Sequence, residues 1–225
     1  MTKKYELELY DGHALIKEND NVILIDTGSQ VTFHTSSVLN FMGRNFDVGT
    51  SYGGIDVESL SSMLGRPITT LLGMDIISRY EVLFDYNNKA VTFSDETTGM
   101  DGEVVSISSF GGLPVVNIRV KNKTIKAVVD TGAKISYMSG EFLNGMDPVG
   151  RVQDFYPLLG NFETDIYNLT TNIENESFDV KYGKLPDMLK ELLLTGGIHG
   201  ILGYDLMSNF KVLLDIGSEK MILGK

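Results

Sequence analysis

The sequence contains no cysteine and no tryptophan among its 225 residues. Without cysteine, disulfide frameworks, thiolate nucleophiles, iron–sulfur clusters and thiolate zinc sites are excluded. Histidine is also scarce. His13, His34 and His199 lie too far apart in the sequence to indicate a metal site.

Positive charge is in deficit as well, because 19 basic residues face 30 acidic ones and the formal net charge is -11. Such a surface repels phosphate backbones and anionic lipids, so we expect no nucleic-acid partner and no membrane association. No stretch approaches the roughly 18 apolar residues of a membrane-spanning helix, and the first residues hold no apolar signal core. We therefore expect a cytoplasmic protein. The 42% of hydrophobic residues predicts a globular fold.

Two parts of the chain repeat each other. Residues 22–28 read VILIDTG and residues 126–132 read KAVVDTG, an offset of 104 residues. Two further matches share an offset of 130 residues: 71–78 with 201–208, and 82–85 with 212–215. The second copy therefore carries an insertion of 26 residues between its two motifs.

A polar, glycine-containing segment separates the copies. We predict a first lobe over residues 1–94, a connection over 95–102 and a second lobe over 103–225. Short apolar runs typical of strands occur in both lobes: 5–10, 14–17, 22–25 and 82–84 in the first, and 104–107, 115–120, 125–129 and 212–214 in the second. The sequence therefore predicts an all-β fold.

Helix patterns are few and short. Capping residues predict helices over 38–42 and 141–144, and Asp75 and Asp205 are expected to cap two short turns. The longest amphipathic pattern covers 186–194, which we assign to the insertion of the second lobe.

The tripeptide Asp-Thr-Gly occurs twice, each time at the end of an apolar strand pattern and upstream of two apolar residues and a glycine. One copy arises by chance in roughly one chain of this size in twenty, but the duplicated pattern does not. The sequence resembles the aspartic peptidases of the pepsin and retropepsin type, in which each lobe donates one such loop. The resemblance spans essentially the whole chain and implies a bilobal, pseudo-twofold, all-β fold with a few short helices.

The resemblance implies that Asp26 and Asp130 are the catalytic pair. Two carboxyl groups in contact share one proton, so one can act as a base towards water and the other as an acid towards the peptide carbonyl. We therefore expect an endopeptidase acting on extended polypeptides, with no metal and no cofactor. Because one chain supplies both loops, we expect a monomer.

Neighbouring residues have supporting roles in the same interpretation. Gly28 and Gly132 allow the sharp turns that bring the loops together. By resemblance, Thr27 and Thr131 exchange hydrogen bonds with the opposite loop.

The next position differs between the lobes, with Ser29 in the first and Ala133 in the second. A serine hydroxyl that donates to Asp26 favours its charged form. We therefore predict that Asp26 is the more acidic member and that Asp130 more often holds the proton. Together with the expected cytoplasmic location, Ala133 favours activity nearer neutral pH than that of pepsin.

Two segments are candidates for a flap that covers the cleft. Residues 48–55 contain Tyr52, Gly53 and Gly54 and lie where a first-lobe flap is expected. Residues 154–171 lie in the insertion and offer a hairpin tip at 159–161.

The choice between these flaps depends on the alignment of the lobes. If residues 55–57 align with 178–180, the second lobe supplies most of the cover. The sequence leaves both arrangements open.

The motif is compatible with other interpretations. Asp-Thr-Gly is also an ordinary turn sequence, but the duplication disfavours that explanation. Phosphotransfer folds require alternating strands and long helices, a pattern that is absent. A peptide-binding or inhibitory protein without turnover stays open as the alternative function. His34, without a serine or cysteine nucleophile nearby, is expected to be structural.

Overall fold

The computed structural model describes residues 1–157 and 159–225. Strands dominate it. The first half contains β1 (Thr2–Glu6), β2 (Glu8–Tyr10), β3 (His13–Glu18), β4 (Asn21–Ile25), β5 (Phe33–His34), β6 (Val38–Phe41), β7 (Arg44–Asp47), β8 (Ser51–Tyr52), β9 (Ile55–Asp56), α1 (Val57–Leu64), β10 (Thr70–Leu72), α2 (Met74–Ile77), β11 (Glu81–Asp85) and β12 (Ala90–Ser94).

The second half has a similar order of elements with longer strands. It contains β13 (Glu103–Ser106), β14 (Ser108–Phe110), β15 (Leu113–Val120), β16 (Lys123–Val129), β17 (Ser136–Met138), a 3-10 helix (Gly140–Phe142), β18 (Gly150–Tyr156), β19 (Gly160–Ile173), β20 (Glu176–Lys184), α3 (Asp187–Leu194), β21 (Ile198–Leu202), α4 (Tyr204–Asn209), β22 (Lys211–Asp215) and β23 (Lys220–Gly224).

A six-stranded sheet joins the two halves in the order β1-β12-β11-β22-β23-β13. Its middle pair, β11 and β22, is antiparallel, with Val82 opposite Leu214. Both side chains are fully buried in the main hydrophobic cluster. The burial of apolar side chains from both halves in one cluster stabilises the junction between the lobes.

Each half also has a sheet of its own, ordered β2-β3-β4-β10-β5 in the first and β14-β15-β16-β21-β17-β20-β19-β18 in the second. Parallel pairing places Leu24 opposite Leu71 in the first sheet and Val128 opposite Ile201 in the second. These two pairs are related by the same offsets as the sequence repeat. The repeated motifs therefore occupy equivalent places in a bilobal, pseudo-twofold fold, as predicted.

Helix α1 was not predicted, although Asp56 caps it by accepting a hydrogen bond from Ser59 N at 2.8 Å. Helix α1 begins 130 residues before α3, so the two helices are equivalent and α3 does not belong to the insertion. The conditional alignment of 55–57 with 178–180 is wrong, because 178–180 lies inside strand β20. The extra residues of the second lobe instead extend the region of β18, β19 and β20.

Several other helix predictions are corrected by the structure. Residues 38–41 form strand β6, and residues 140–142 form a single 3-10 turn instead of a helix over 141–144. Asp75 and Asp205 do not cap α2 and α4, which begin after glycines. Asp75 instead accepts hydrogen bonds from the amide and hydroxyl of Thr32, and Asp205 accepts one from Lys181 N at 2.9 Å.

The described helices are short. Across residues 1–157 and 159–225, none has both the length and the apolar character needed to cross a membrane.

Candidate active site

The two Asp-Thr-Gly loops begin where β4 and β16 end. Asp26 N donates to Leu72 O at 3.0 Å, and Asp130 N donates to Leu202 O at 2.8 Å. Each aspartate therefore extends the parallel pairing of its strand by one residue. Local strand pairing in each lobe thus fixes the backbone from which the carboxyl group projects.

Each loop then turns sharply and packs against a glycine-containing segment of its own lobe. A Cβ atom on Gly73 would lie 2.7 Å from Val31 C, and one on Gly203 would lie 2.3 Å from Ala133 O. Only glycine permits so close a backbone approach. The glycine of the second repeated motif therefore has the same packing reason in both lobes.

Thr27 and Thr131 exchange hydrogen bonds across the lobe junction. Thr27 N donates to Thr131 Oγ1 at 3.1 Å, and Thr131 N donates to Thr27 Oγ1 at 2.9 Å. The hydroxyl of Thr27 donates to Val129 O at 2.8 Å, and that of Thr131 donates to Ile25 O at 2.8 Å. These four buried hydrogen bonds hold the two loops in one register.

Asp26 and Asp130 lie side by side at the junction, close enough for each carboxyl group to affect the pKa of the other. A Cβ atom on Gly28 would lie 2.3 Å from the carboxyl group of Asp130, and one on Gly132 would lie 2.6 Å from that of Asp26. Each carboxyl group therefore packs against the glycine of the opposite loop. The structure brings the two predicted aspartates together, and both remain partly exposed.

Backbone amides of the same loops face the carboxyl groups. Gly28 N donates to Asp26 Oδ1 at 2.9 Å, and Gly132 N donates to Asp130 Oδ1 at 2.8 Å. Burial and the charge of Asp130 raise the pKa of Asp26 well above its ordinary value. Burial also raises the pKa of Asp130, against the Gly132 amide, which lowers it. The pair therefore keeps a shared proton above the usual aspartate range.

The predicted contact of Ser29 with Asp26 is wrong. The hydroxyl of Ser29 donates to Val31 O at 3.0 Å, because the turn directs it along its own loop. Ala133 likewise offers no donor to Asp130. The structure therefore removes the reason for ranking Asp26 as the more acidic member, and burial raises the pKa of both carboxyl groups.

The first flap candidate forms a small hairpin, β8–β9, with Gly53 and Gly54 at its turn. Both glycines have positive φ, 59° and 84°, which glycine tolerates best. The side chain of Tyr52 is 47% exposed, and its hydroxyl lies 3.4 Å from Gln30 Oε1.

The second candidate forms the longer hairpin β18–β19, in which Tyr156 pairs with Gly160. Gly160 and Asn161 lie in strand β19, so only Leu159 of the predicted tip at 159–161 lies between the two strands. Leu158, which belongs to this candidate, lies outside the described residues.

This second-lobe hairpin reaches the first lobe. Phe155 packs against the first-lobe cluster that includes Leu15 and Leu64, and its ring stacks on His13 at 5.9 Å. Burial, and then the charges of Asp130 and Asp26, raise the pKa of Tyr156 to about 12. The second-lobe hairpin therefore spans the cleft next to the two aspartates.

Sequence reasoning missed a charged cluster beside the second loop. Lys134 Nζ lies 3.0 Å from Asp11 Oδ2 in the first lobe and 3.8 Å from Asp154 Oδ1 in the hairpin. The hydroxyl of Tyr137 donates to the buried Asp154. A cavity of about 450 Å³ opens beside this cluster, lined by residues of both lobes. The spacing of Lys134 from Asp130 was visible in the sequence, but its partners were not.

His34 is buried, with Nδ1 2.8 Å from Thr69 O, which is a structural role as predicted. Within the described ranges, 1–157 and 159–225, no three histidine or acidic side chains cluster closely enough to hold a metal ion.

Comparison with known proteins gives one family match. Residues 112–215 match the family model described as retroviral aspartyl protease. This segment contains the second Asp-Thr-Gly loop and runs to the end of strand β22. None of the curated proteins that were compared matches the chain.

Solved structures give a full-length likeness. The aspartic proteinase from Irpex lacteus aligns over 100% of this chain and 97% of its own, with 12% identity and a TM-score of 0.56. The simian foamy virus (mac) protease aligns over 41% of this chain and 90% of its own, with 19% identity and a TM-score of 0.32. The full-length likeness, together with the paired sheets, shows that this chain has the bilobal fold of the pepsin-type and retropepsin-type aspartic peptidases.

Proposed function

We propose that the protein is an aspartic endopeptidase in which Asp26 and Asp130 activate water to cleave extended polypeptides. The observation that most supports this proposal is the contact between the two carboxyl groups at the junction of a bilobal fold. The family match and the fold support aspartic peptidase activity in general.

The proposed mechanism uses the singly protonated pair. The ionised carboxylate takes a proton from a water molecule, whose oxygen attacks the peptide carbonyl carbon. The protonated carboxyl group donates its proton to the carbonyl oxygen, giving a diol bound to both aspartates. A proton then passes to the nitrogen, the C–N bond breaks, and the new amine and carboxylic acid leave.

The site favours this chemistry in two respects. The raised pKa values of Asp26 and Asp130 keep one proton on the pair at a higher pH than isolated aspartates would. This effect supports the expectation of activity nearer neutral pH. The two hairpins flank the cleft and offer strand edges along which an extended peptide can align.

The test is cleavage of a denatured protein or a peptide mixture across acidic to neutral pH. Asp26→Asn and Asp130→Asn should each lower kcat by about 10²–10⁴-fold, since either change removes the acid–base pair. Asp47→Asn, at an exposed position in strand β7, is the matched control and should keep full activity.

The alternative is a peptide-binding or inhibitory protein on the same scaffold. It would be supported by a wild type that cleaves nothing in this pH range yet still binds peptides. Equal cleavage by wild type and both active-site variants would also contradict the proposal.

A further inference from the structure

The fourth residue after the aspartate of each Asp-Thr-Gly loop touches the opposite lobe. Gln30 holds this position in the first lobe and Lys134 in the second. A Cβ atom on Gly111, in the turn between β14 and β15, would lie 2.3 Å from Gln30 Nε2. A Cβ atom on Gly12, in the turn between β2 and β3, would lie 2.9 Å from Lys134 Cβ. Each side chain therefore packs against a tight turn of the other lobe.

The same two side chains also reach the hairpin that flanks the cleft in their own lobe. The hydroxyl of Tyr52, in the first-lobe hairpin, lies 3.4 Å from Gln30 Oε1. Lys134 Nζ lies 3.8 Å from Oδ1 of Asp154, in the second-lobe hairpin. In both lobes this position therefore connects a hairpin at the cleft with a turn of the opposite lobe.

The connection is neutral and exposed in the first lobe, but charged and mostly buried in the second. Gln30 is exposed, and its contact with Tyr52 is one long hydrogen bond. The side chain of Lys134 is only 14% exposed, and Nζ also lies 3.0 Å from Oδ2 of Asp11, in the first-lobe turn. Water screens a charge weakly in such a site, so the second-lobe connection is the stronger one.

Asp154 depends on this connection because it is only 7% exposed. The hydroxyl of Tyr137 donates to its carboxylate, and Phe155 N donates to Oδ1 at 2.8 Å. Among the residues that the structure describes, Lys134 is the one cation within 4 Å of this carboxylate. Removing the only cation beside a buried carboxylate is unfavourable, so the hairpin should loosen without Lys134.

The residues directly after Asp154 hold the end of the second-lobe hairpin between the lobes. Phe155 packs against the first-lobe cluster and stacks on His13. Tyr156 packs against the second-lobe cluster that includes Tyr137. A displacement of Asp154 therefore moves the part of the hairpin that lies next to the catalytic pair.

We propose that Lys134 is a positioning residue that holds the second-lobe hairpin across the cleft by joining Asp154 to Asp11. This inference rests on the proposed function and identifies the contact that orders the cover of the cleft. Lys134 lies four residues beyond Asp130, so the hairpin is fixed relative to the catalytic loop. A substrate then binds beneath a hairpin that is already ordered.

The first experiment compares steady-state kinetics of the wild type and Lys134→Met on one peptide substrate. Methionine has a similar length and no charge. Because the substrate must then order the hairpin, kcat/KM should fall about fivefold, mainly through a higher KM. Lys134→Arg should recover most of this loss, since a guanidinium group can still bridge two carboxylates.

Lys211→Met is the matched control. Lys211 Nζ lies 3.7 Å from Asp85 Oδ2, so this ion pair also joins the two halves of the chain, but within the six-stranded sheet. The variant should leave kcat/KM unchanged. An equal loss in Lys134→Met and Lys211→Met overturns the inference, as does a loss that Lys134→Arg does not recover.

Amide hydrogen exchange tests the hairpin without catalysis. In Lys134→Met the amides of β18 should exchange about fivefold faster, whereas those of β16 should not change. Asp11→Asn is a milder second variant, because Asp11 is exposed and asparagine tolerates its positive φ of 47°. It should give a smaller increase in the same strand.

An unchanged KM or an unchanged exchange of β18 in Lys134→Met overturns the inference. If Lys134→Met does not fold, an unchanged exchange of β18 in Asp11→Asn overturns it instead. Faster exchange of β18 in a protein whose wild type cleaves nothing would support the role of Lys134 and contradict the proposed function alone.

Discussion

The two lobes are closely alike at the Asp-Thr-Gly loops and differ most in what covers the cleft. The loops share the same turn, the same threonine exchange and the same glycine behind them. The first-lobe cover is a hairpin with strands of two residues, whereas the second-lobe hairpin has strands of seven and fourteen residues. The buried loops at the lobe junction are thus nearly identical, whereas the hairpins that face solvent differ in length.

One pair of equivalent residues shows how the insertion alters its own lobe. Phe33 and Tyr137 lie opposite Leu71 and Ile201, so they hold the same place in the two sheets. Only Tyr137 has a hydroxyl group, and this group donates to Asp154, which the longer hairpin supplies. A polar side chain is tolerated there because the insertion brings its partner.

The likeness of the two loops is tested most strongly by removing the hydrogen bonds that Thr27 and Thr131 exchange. Thr27→Val and Thr131→Val each leave a buried amide and a buried carbonyl without a partner. Each should lower the free energy of unfolding by about 2–4 kcal/mol, and by similar amounts. Chemical denaturation of the two variants measures this directly.

Thr170→Val is the matched control for this pair, because Thr170 is exposed and bonds only within its hairpin. It should change the stability by less than about 0.5 kcal/mol. A large loss in only one of the Thr27 and Thr131 variants would show that the two loops are not equivalent.

The difference in cover is tested by comparing one residue from each hairpin. Phe155→Ala removes the contact of the second-lobe hairpin with the first lobe, so kcat/KM should fall about tenfold, mainly through KM. Tyr52→Ala removes one exposed side chain and should have a smaller effect. Steady-state kinetics with one peptide substrate measures kcat/KM for both variants. A larger loss in Tyr52→Ala than in Phe155→Ala would make the first-lobe hairpin the main cover of the cleft.

The smallest expected effect concerns stability against pH. The pKa of Asp26 is raised in the folded protein, so its ionisation disfavours the folded state. The stabilisation that this proton provides is fully present below the unfolded-state pKa of about 4. It is lost as the pH rises through the pKa of Asp26 in the folded protein. Between pH 3 and 7, the free energy of unfolding of Asp26→Asn should therefore rise relative to that of wild type by on the order of 1 kcal/mol.

Asp130→Asn should show the same trend, because burial raises the pKa of Asp130 as well. Urea denaturation at several pH values gives both differences. A constant difference between wild type and either variant across this range would contradict the raised pKa values.

Much of the fold was predictable because local patterns repeat. The strands that end at Asp26 and Asp130 are apolar runs in the sequence. The glycines at 73 and 203 repeat because the backbone approaches too closely there for a side chain. Helix α1 was missed because its short pattern competes with strand propensity on both sides. The helix predicted at strand β6 was wrong because the serines before the strand resemble helix caps. In the structure one of them, Ser36, donates a hydrogen bond to Val38 O.

By itself, the sequence determined that two Asp-Thr-Gly loops exist, that they end equivalent strands and that one lobe carries an insertion. The tertiary structure decided that Ser29 turns away from Asp26 and that the second-lobe hairpin brings Phe155 across to the first lobe. The physical reason is that periodicity and turn chemistry act over a few residues. The meeting of the two carboxyl groups and the cover of the cleft instead depend on contacts between residues about a hundred positions apart or more, which only packing brings together.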